Sequence, residues 1–191
     1  RLMGKQKASS ELFTKPEYVV PIRSANTKVQ QWLQQWDLGV ELMWDVKEDR
    51  IVFPIYEGNV MVDATGRALG RRLPKWKRYG GSGVPYVAGS TGHVVIVEDC
   101  ISAAVVAQEI SGGSGVAIMG TSLSDGQKNF LARQKYSCIV VALDPDALPK
   151  TLGMAKELHN VAETVKVLKL NDDLKYRNLE DINKLENMLW N

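Results

Sequence analysis

Three strand-like runs in the second half of this sequence end in acids. Val94-Val95-Ile96-Val97 leads into Glu98-Asp99, the run from Cys138 to Leu143 into Asp144-Pro145-Asp146, and the run from Val165 to Leu170 into Asn171-Asp172-Asp173. A fourth run, Gly115 to Met119, leads into Gly120-Thr121, where a small residue leaves room for backbone or ligand to approach. Short apolar runs bounded by turn residues read as buried strands. In open parallel sheets ligands bind beyond the carboxyl ends of the strands, so these acids are expected along one sheet edge. Carboxylates gathered there repel one another and raise one another's pKa unless a cation sits among them. Such hard oxygen ligands, with water in the remaining positions, suit Mg²⁺ or Mn²⁺. The candidates are Glu98, Asp144 and Asp146 taken together, with Asp172 or Asp173 from the last turn. An Asp after a strand can also be a helix N-cap, a role open to Asp99 and Asp173.

The elements that must position these acids follow a strand–helix alternation. Strands are expected over 94–97, 115–119, 138–143 and 165–170, and helices over 101–110, 124–135, 147–158 and 179–189, the second opened by a Ser124-Asp125 cap. Four strands with helices between them imply a parallel sheet covered on both faces. Upstream, Val29, Leu33 and Trp36 recur at helical spacing over 26–38, with Gly39 as the stop. Strands over 50–56 and 60–62 flank a Gly58-Asn59 turn, which makes a small antiparallel unit closed by one helix. Residues 5–24 read as an extended lead-in. Residues 66–92 are glycine-rich and loop-like, and carry Arg67, Arg71, Arg72, Lys75, Lys77 and Arg78 interleaved with Trp76 and Tyr79. The chain thus divides into a mixed α+β basic lobe, 1–92, and an α/β domain, 93–191.

Charge follows the same division. Residues 1–92 hold 14 Lys and Arg against 9 Asp and Glu, and residues 93–191 hold 10 against 13. A basic half beside an acidic half suits a polyanion held near bound metal. With 45% hydrophobic and 24% charged residues the composition is that of an ordinary soluble globular protein, with no run long enough to span a bilayer. No signal peptide is expected. The chain opens on Arg1 rather than Met and is expected to be part of something longer. Cys100 and Cys138 lack partners at zinc-ligand spacing and read as buried thiols of a cytoplasmic protein, and His93 and His159 add no cluster.

Three families place acids at strand ends in this way. Val95-Ile-Val-Glu-Asp99, with Asp144 following 45 residues after Asp99, resembles a receiver domain, but the chain stops before the required fifth strand. Leu143-Asp-Pro-Asp146 resembles the nucleophile motif of haloacid-dehalogenase-type phosphatases, which opens its domain on the first strand rather than the third. Glu98 after strand one, Asp144-x-Asp146 after strand three, the acidic turn after strand four and Gly120-Thr121 after strand two resemble the TOPRIM domain over about 93–185. Upstream, Arg50-Ile-Val-Phe-Pro-Ile55, Gly66-Arg67, Leu69-Gly70 and Pro74-Lys75-Trp76 are similar in order and spacing to the lobe that precedes TOPRIM in DnaG-type primases, with the short bacteriophage enzymes the most similar in character.

The resemblance implies a TOPRIM-type four-stranded parallel sheet flanked by helices and preceded by the basic lobe. It implies a DNA primase that builds short RNA primers from ribonucleoside triphosphates on single-stranded DNA in a bacterial or phage-infected cytoplasm, using Mg²⁺ or Mn²⁺. Asp144, Asp146 and Asp172 or Asp173 would bind metal, and Glu98 would be a ligand or a base. Arg67 and Lys75 would hold template or nucleotide phosphates. Arg71, Arg72, Lys77 and Arg78 would add backbone attraction, and Trp76 would stack on a base. A zinc-binding module or a replicative helicase would be supplied from elsewhere. Two positions depart from the pattern: Ser102 stands where bacterial primases carry an Asp, and Ala147-Leu148-Pro149 replaces the usual Ala-Gly. A TOPRIM nuclease, or a weakened nucleic-acid-binding module, is the alternative.

Overall fold

A computed structural model describes residues 12–22 and 26–191, so 5–11 and 23–24 of the expected lead-in lie outside the described residues. Its first sheet has five strands in chain order, antiparallel throughout: β1 Val19–Pro21, β2 Met43–Asp45, β3 Arg50–Glu57, β4 Val60–Ala68 and β5 Trp76–Arg78. The hairpin of β3 and β4 closes where Glu57 pairs with Val60 around Gly58, whose φ of 61° explains the glycine. Helix α1, Thr27–Trp36, begins where the Asn26 side chain accepts from the Val29 amide at 3.0 Å. It ends on Asp37, in the left-handed region at φ 47°, two residues before the expected Gly39. A non-glycine can hold that conformation because Asp is among the residues that tolerate it.

The second sheet holds β6 Tyr86–Ala88, β7 His93–Val97, β8 Ser114–Ala117, β9 Cys138–Val141 and β10 Thr164–Val167, in the order β10-β9-β7-β8-β6. The expected four parallel strands are β10, β9, β7 and β8. The expectation of a four-stranded, purely parallel sheet is corrected by β6, which pairs antiparallel to β8, with Tyr86 opposite Ala117 and Ala88 opposite Gly115. Both β5 and β6 lie in the stretch read as loop. Each is three residues long, too short to show alternation among the surrounding glycines and cations. The strand comes from residues before 93 and completes the sheet built after 93, so the two halves share one core. Phe53 of β3 packs edge-on against Tyr86 of β6 with ring centroids 5.3 Å apart, and against Trp76 at 5.8 Å.

Helices α2 Cys100–Glu109, α3 Asp125–Gln134, α4 Leu148–Glu157 and α5 Leu179–Trp190 follow strands β7 to β10. The apolar stretch Cys100 to Val106 is buried on every side, as a helix without a polar face must be. It packs on β8 and β6 through Gly115: a Cβ built there would lie 2.3 Å from the carbonyl oxygen of Ala103 and 2.5 Å from its Cα. Ser124 and Gln127 form a reciprocal capping box at the head of α3. Both cysteines are buried free thiols. No helix among the described residues is long and apolar enough to cross a membrane.

Gly115→Ala forces a methyl group into backbone that cannot yield, and is expected to cost about 1–3 kcal/mol or more. Gly70→Ala, where nothing lies within 4 Å of the added carbon, should stay within about 0.5 kcal/mol of the parent. Urea denaturation of both variants checks the contrast; equal midpoints would mean that α2 does not seat on β8 at this point.

Candidate active site

Strand β7 lies at the topological switch of the second sheet, since the chain runs from it to β8 on one side and then crosses back to β9 on the other. The carboxyl ends of neighbouring strands therefore open a crevice there. The register fixes what lines it. The Ala142 amide donates to the Ile96 carbonyl and the Ile118 amide to the Val97 carbonyl, each at 3.0 Å, so Glu98, Asp144 and the Met119-Gly120 turn leave the sheet at one level. They open on a cleft of about 510 Å³ whose near wall is Glu98, Asp99, Met119, Gly120, Asp144, Asp173 and Lys175. Its far wall comes from the first sheet: Thr65, Lys75, Trp76 and Arg78. No atom lies within 4 Å of where a Cβ on Gly120 would stand, so the turn leaves open space as expected of it.

The acids are not equivalent. Burial, then the adjoining Asp144 carboxyl, then the charges of Asp146 and Asp173, push Glu98 up to about 8, and its buried Oε1 meets no donor. Asp144 precedes the 3-10 turn Pro145–Ala147 without capping it, which leaves its carboxylate free for the cleft. Asp146 is exposed and reaches Glu98 through its field. Asp173 lines the cleft and makes no cap; burial and Asp144 raise its pKa, and Lys175 opposes them. Asp172 is exposed and accepts from the Asp173 amide at 2.9 Å instead. Of the two, the structure places Asp173 in the cleft. Asp99 caps α2, accepting from the Ser102 amide at 2.9 Å through Oδ1, while its Oδ2 faces Lys175. Ser102 is buried with an unpartnered hydroxyl.

The basic wall is likewise divided. On β5 alternate residues face opposite ways, so Trp76 and Arg78 face the cleft while Lys77 faces away and pairs with Glu48. Lys75 lines the rim with an exposed side chain, and its carbonyl, accepting from the Ala68 amide at 2.9 Å, fixes its backbone. Arg67 lies over the Trp76 ring at 5.8 Å and donates to the Ala68 carbonyl at 2.7 Å. Burial lowers its pKa, and Asp99 is the acid whose field opposes this. Arg71 and Arg72 stay in the exposed loop, Arg72 within 3.9 Å of Glu48.

Sequence reasoning missed the residues that hold this arrangement in place. Asp63 is fully buried and accepts from the Ala64 and Gly80 amides at 2.8 Å, from Arg78 Nε at 2.7 Å and from Ser82, so it aims Arg78 into the cleft. Asp181, also fully buried, accepts from the Asn171 and Asp172 amides and from the Asn171 side chain, which ties the acidic loop to the first turn of α5. Arg50 has no exposed surface and donates to the Pro74 carbonyl at 2.7 Å, anchoring the loop that carries Lys75. Lys175 enters the acid cluster itself. Arg50 heads the 50–55 motif, though nothing in the motif names its partner at Pro74. Asp63, Asp181 and Lys175 carry no local signal, because each acts on a segment distant in the chain.

Among the described residues no group of three or more Asp, Glu, His or Cys side chains is arranged to hold one ion by itself. The donor set instead fits Mg²⁺ as that ion usually binds, through one or two carboxylates with water and substrate phosphates filling the rest. Glu98 and Asp144, side by side with an unsatisfied oxygen between them, supply those carboxylates.

No family model and no curated protein matches the chain. Solved structures do. A DnaG primase catalytic domain bound to single-stranded DNA matches with 16% identity and a TM-score of 0.51 over 85% of this chain and 61% of that one. A DNA primase domain from Pseudomonas aeruginosa matches at 16% and 0.53 over 86% and 60%. The zinc-binding and RNA polymerase domains of the Aquifex aeolicus primase match at 16% and 0.54 over 88% and 50%. The class of architecture is thus a mixed α/β pair of sheets with an acid-lined cleft between them. In particular, it is the fold of DnaG-type primase catalytic cores. The chain spans about three fifths of the length of the first structures it matches.

The raised pKa of Glu98 has a consequence for stability. The folded state holds this proton up to about pH 8 against an ordinary value of 4.5, so the group's contribution is full below 4.5 and is lost as pH rises through about 8. Glu98→Gln should therefore become progressively more stable than the parent from about pH 5 to about pH 8 and keep a constant advantage above that. Urea midpoints across this range read it; parallel curves would mean that Glu98 is not held protonated.

Proposed function

We propose that this chain is the TOPRIM-type catalytic core of a DNA primase, joining ribonucleoside triphosphates into short primers on single-stranded DNA in a metal-dependent reaction. The observation that carries this reading is the cleft itself, where Glu98, Asp144 and Asp173 face Lys75, Trp76 and Arg78 across a space of about 510 Å³. Acids alone would repel a nucleotide and bases alone would only bind it; together they bind phosphates beside groups that can move a proton. The fold likeness to DnaG-type cores, one of them bound to single-stranded DNA, supports the same reading.

In the reaction a 3′-hydroxyl oxygen forms a bond to the α-phosphorus of the next nucleotide, pyrophosphate leaves with the electron pair of the broken bond, and the hydroxyl proton is lost. A divalent ion held by Glu98 and Asp144 would supply charge neutralisation on the phosphates. Glu98, which gives up its own proton when an ion binds beside it, would serve as ligand to that ion or as base for the hydroxyl proton. Arg78, whose Nε and Nη2 are fixed by Asp63, Ser82 and the Val84 carbonyl, would reach phosphate oxygens through Nη1, and Lys75 would act as a point charge. Trp76, fixed against Phe53 and under Arg67, offers a face on which a base stacks. Arg67 orients that ring and adds charge beside Asp99. Template selection and unwinding would fall to a zinc-binding module or a helicase working with this core.

The decisive experiment incubates the protein with single-stranded DNA, labelled ribonucleotides and Mg²⁺. Labelled dinucleotides and short primers are expected; cleaved DNA without incorporation would replace the reading with a TOPRIM nuclease. Asp144→Asn should lower kcat by about 100-fold or more while template affinity holds or improves, because a negative charge facing phosphate has gone. Lys75→Ala should instead act on template affinity and KM by about 1.5–3 kcal/mol, the worth of one charge-assisted contact. Fluorescence anisotropy and turnover, measured separately, distinguish the two; loss of kcat in Lys75→Ala with binding intact would reverse the roles assigned here. Binding of single-stranded DNA should also weaken steeply with added salt, as counterion release requires, and a flat response would remove the phosphate-tracking surface.

A further inference from the structure

Lys175 is a cation set inside the acid cluster. It sits on the short turn Leu174–Tyr176, whose Leu174 is buried and packs on α2. The next residue, Arg177, bonds Glu109 through Nε and the Asp37 carbonyl through its guanidinium, both at 2.9 Å, so the backbone that carries Lys175 is held from both sides. The ammonium lies 3.6 Å from Asp99 Oδ2 and 3.8 Å from Asp173 Oδ2, with all three side chains at least half shielded. These are ion-pair distances beyond hydrogen-bond reach, so the amine is poised between the two acids rather than committed to either. Asp99 spends its other oxygen on the α2 cap, which leaves Oδ2 to face Lys175. Among the described residues no cation pairs with Glu98 or Asp144 on the other side of the cleft, and there a buried oxygen of Glu98 goes without a donor.

We propose that Lys175 is the permanent cation of the Asp99–Asp173 side of the cleft, so that the site takes one divalent ion, on the Glu98–Asp144 side, where its acids without Lys175 would take two. The inference rests on the metal-dependent reading above. Its physical ground is exclusion by like charge: an ammonium already between Asp99 and Asp173 satisfies both and repels a second ion brought to them. Bound triphosphate would then meet one exchangeable ion and one fixed ammonium. The fixed charge cannot be removed by chelation, and a phosphate drawn to it needs no second metal to be neutralised.

The test is a Mn²⁺ titration without nucleotide or DNA, counting bound ions by the loss of the free-ion electron paramagnetic resonance signal. The parent should bind one ion, Lys175→Gln two, and Lys175→Arg, which keeps the charge, one. If Lys175→Gln does not fold by circular dichroism, Lys175→Met, which keeps the aliphatic stem, carries the comparison. One ion in both the parent and the charge-removed variant would overturn this inference and leave the metal-dependent reading standing. Two ions in the parent would also overturn it. No bound ion in any of the proteins would overturn both, and the primer-synthesis assay then decides independently what the cleft does.

Discussion

Two adjacent parallel strands, β7 and β9, hold Glu98 and Asp144 side by side at their carboxyl ends, and this enforced contact between like groups is the constraint on which the rest of the cleft depends. The strands cannot separate, because Val94 to Val97 and Ile139 to Val141 are buried almost completely and their ladder is continuous. Each such side chain contributes about 1.5–3 kcal/mol by burial, more than the repulsion of the acids can undo. The strain is therefore resolved by protonation, or by a cation, and not by movement. The neighbouring features answer to the same demand: Lys175 on one side of the cluster, the basic wall opposite, and Arg67 within the field of Asp99.

The carboxylates of this protein fall into two physical kinds. Asp45, Asp63 and Asp181 have no exposed surface, yet each accepts several hydrogen bonds from amides or side chains: Asp45 from the Lys47 and Glu48 amides and from Tyr79, Asp63 from the 78–82 segment, Asp181 from the 171–172 loop. A buried carboxylate so supplied with donors is held in place and acts as a clamp. Glu98, Asp144 and Asp173 are less buried and poorly supplied with donors. Clamps and cleft acids work together, because Asp63 aims Arg78 and Asp181 presents Asp173. The stable acids thus fix the positions of the reactive ones.

The join between the sheets settles what faces those acids. Phe53, Tyr86 and Trp76 interlock across it, and β6 carries the chain from the first sheet into the edge of the second before β7 begins. The basic wall therefore stands over the acid edge through packed aromatic contacts, and Trp76 is at once part of that join and part of the cleft lining.

The acid edge was legible in the sequence because it depends on local pattern: apolar runs with turn residues behind them, alternating with helical periodicity, require a parallel sheet whose strand ends carry Glu98, Asp144 with Asp146, and Asp172 with Asp173. The cap at Ser124 was equally local, as was the burial of both cysteines. What the sequence left open is what depends on partners distant along the chain. Three-residue strands such as β5 and β6 exist only because β4 and β8 offer them edges. Lys77 and Arg78 are neighbours of like charge in sequence, yet strand alternation sends one to Glu48 and the other into the cleft. Asp172 and Asp173 were indistinguishable until Asp181, nine residues on from Asp172, took hold of their loop. Lys175 acquires its place only when the end of β10 folds back beside the start of α2. Local sequence determined which residues could do chemistry; tertiary structure decided which of them share one cleft, because burial and hydrogen bonding act between segments that the chain order keeps apart.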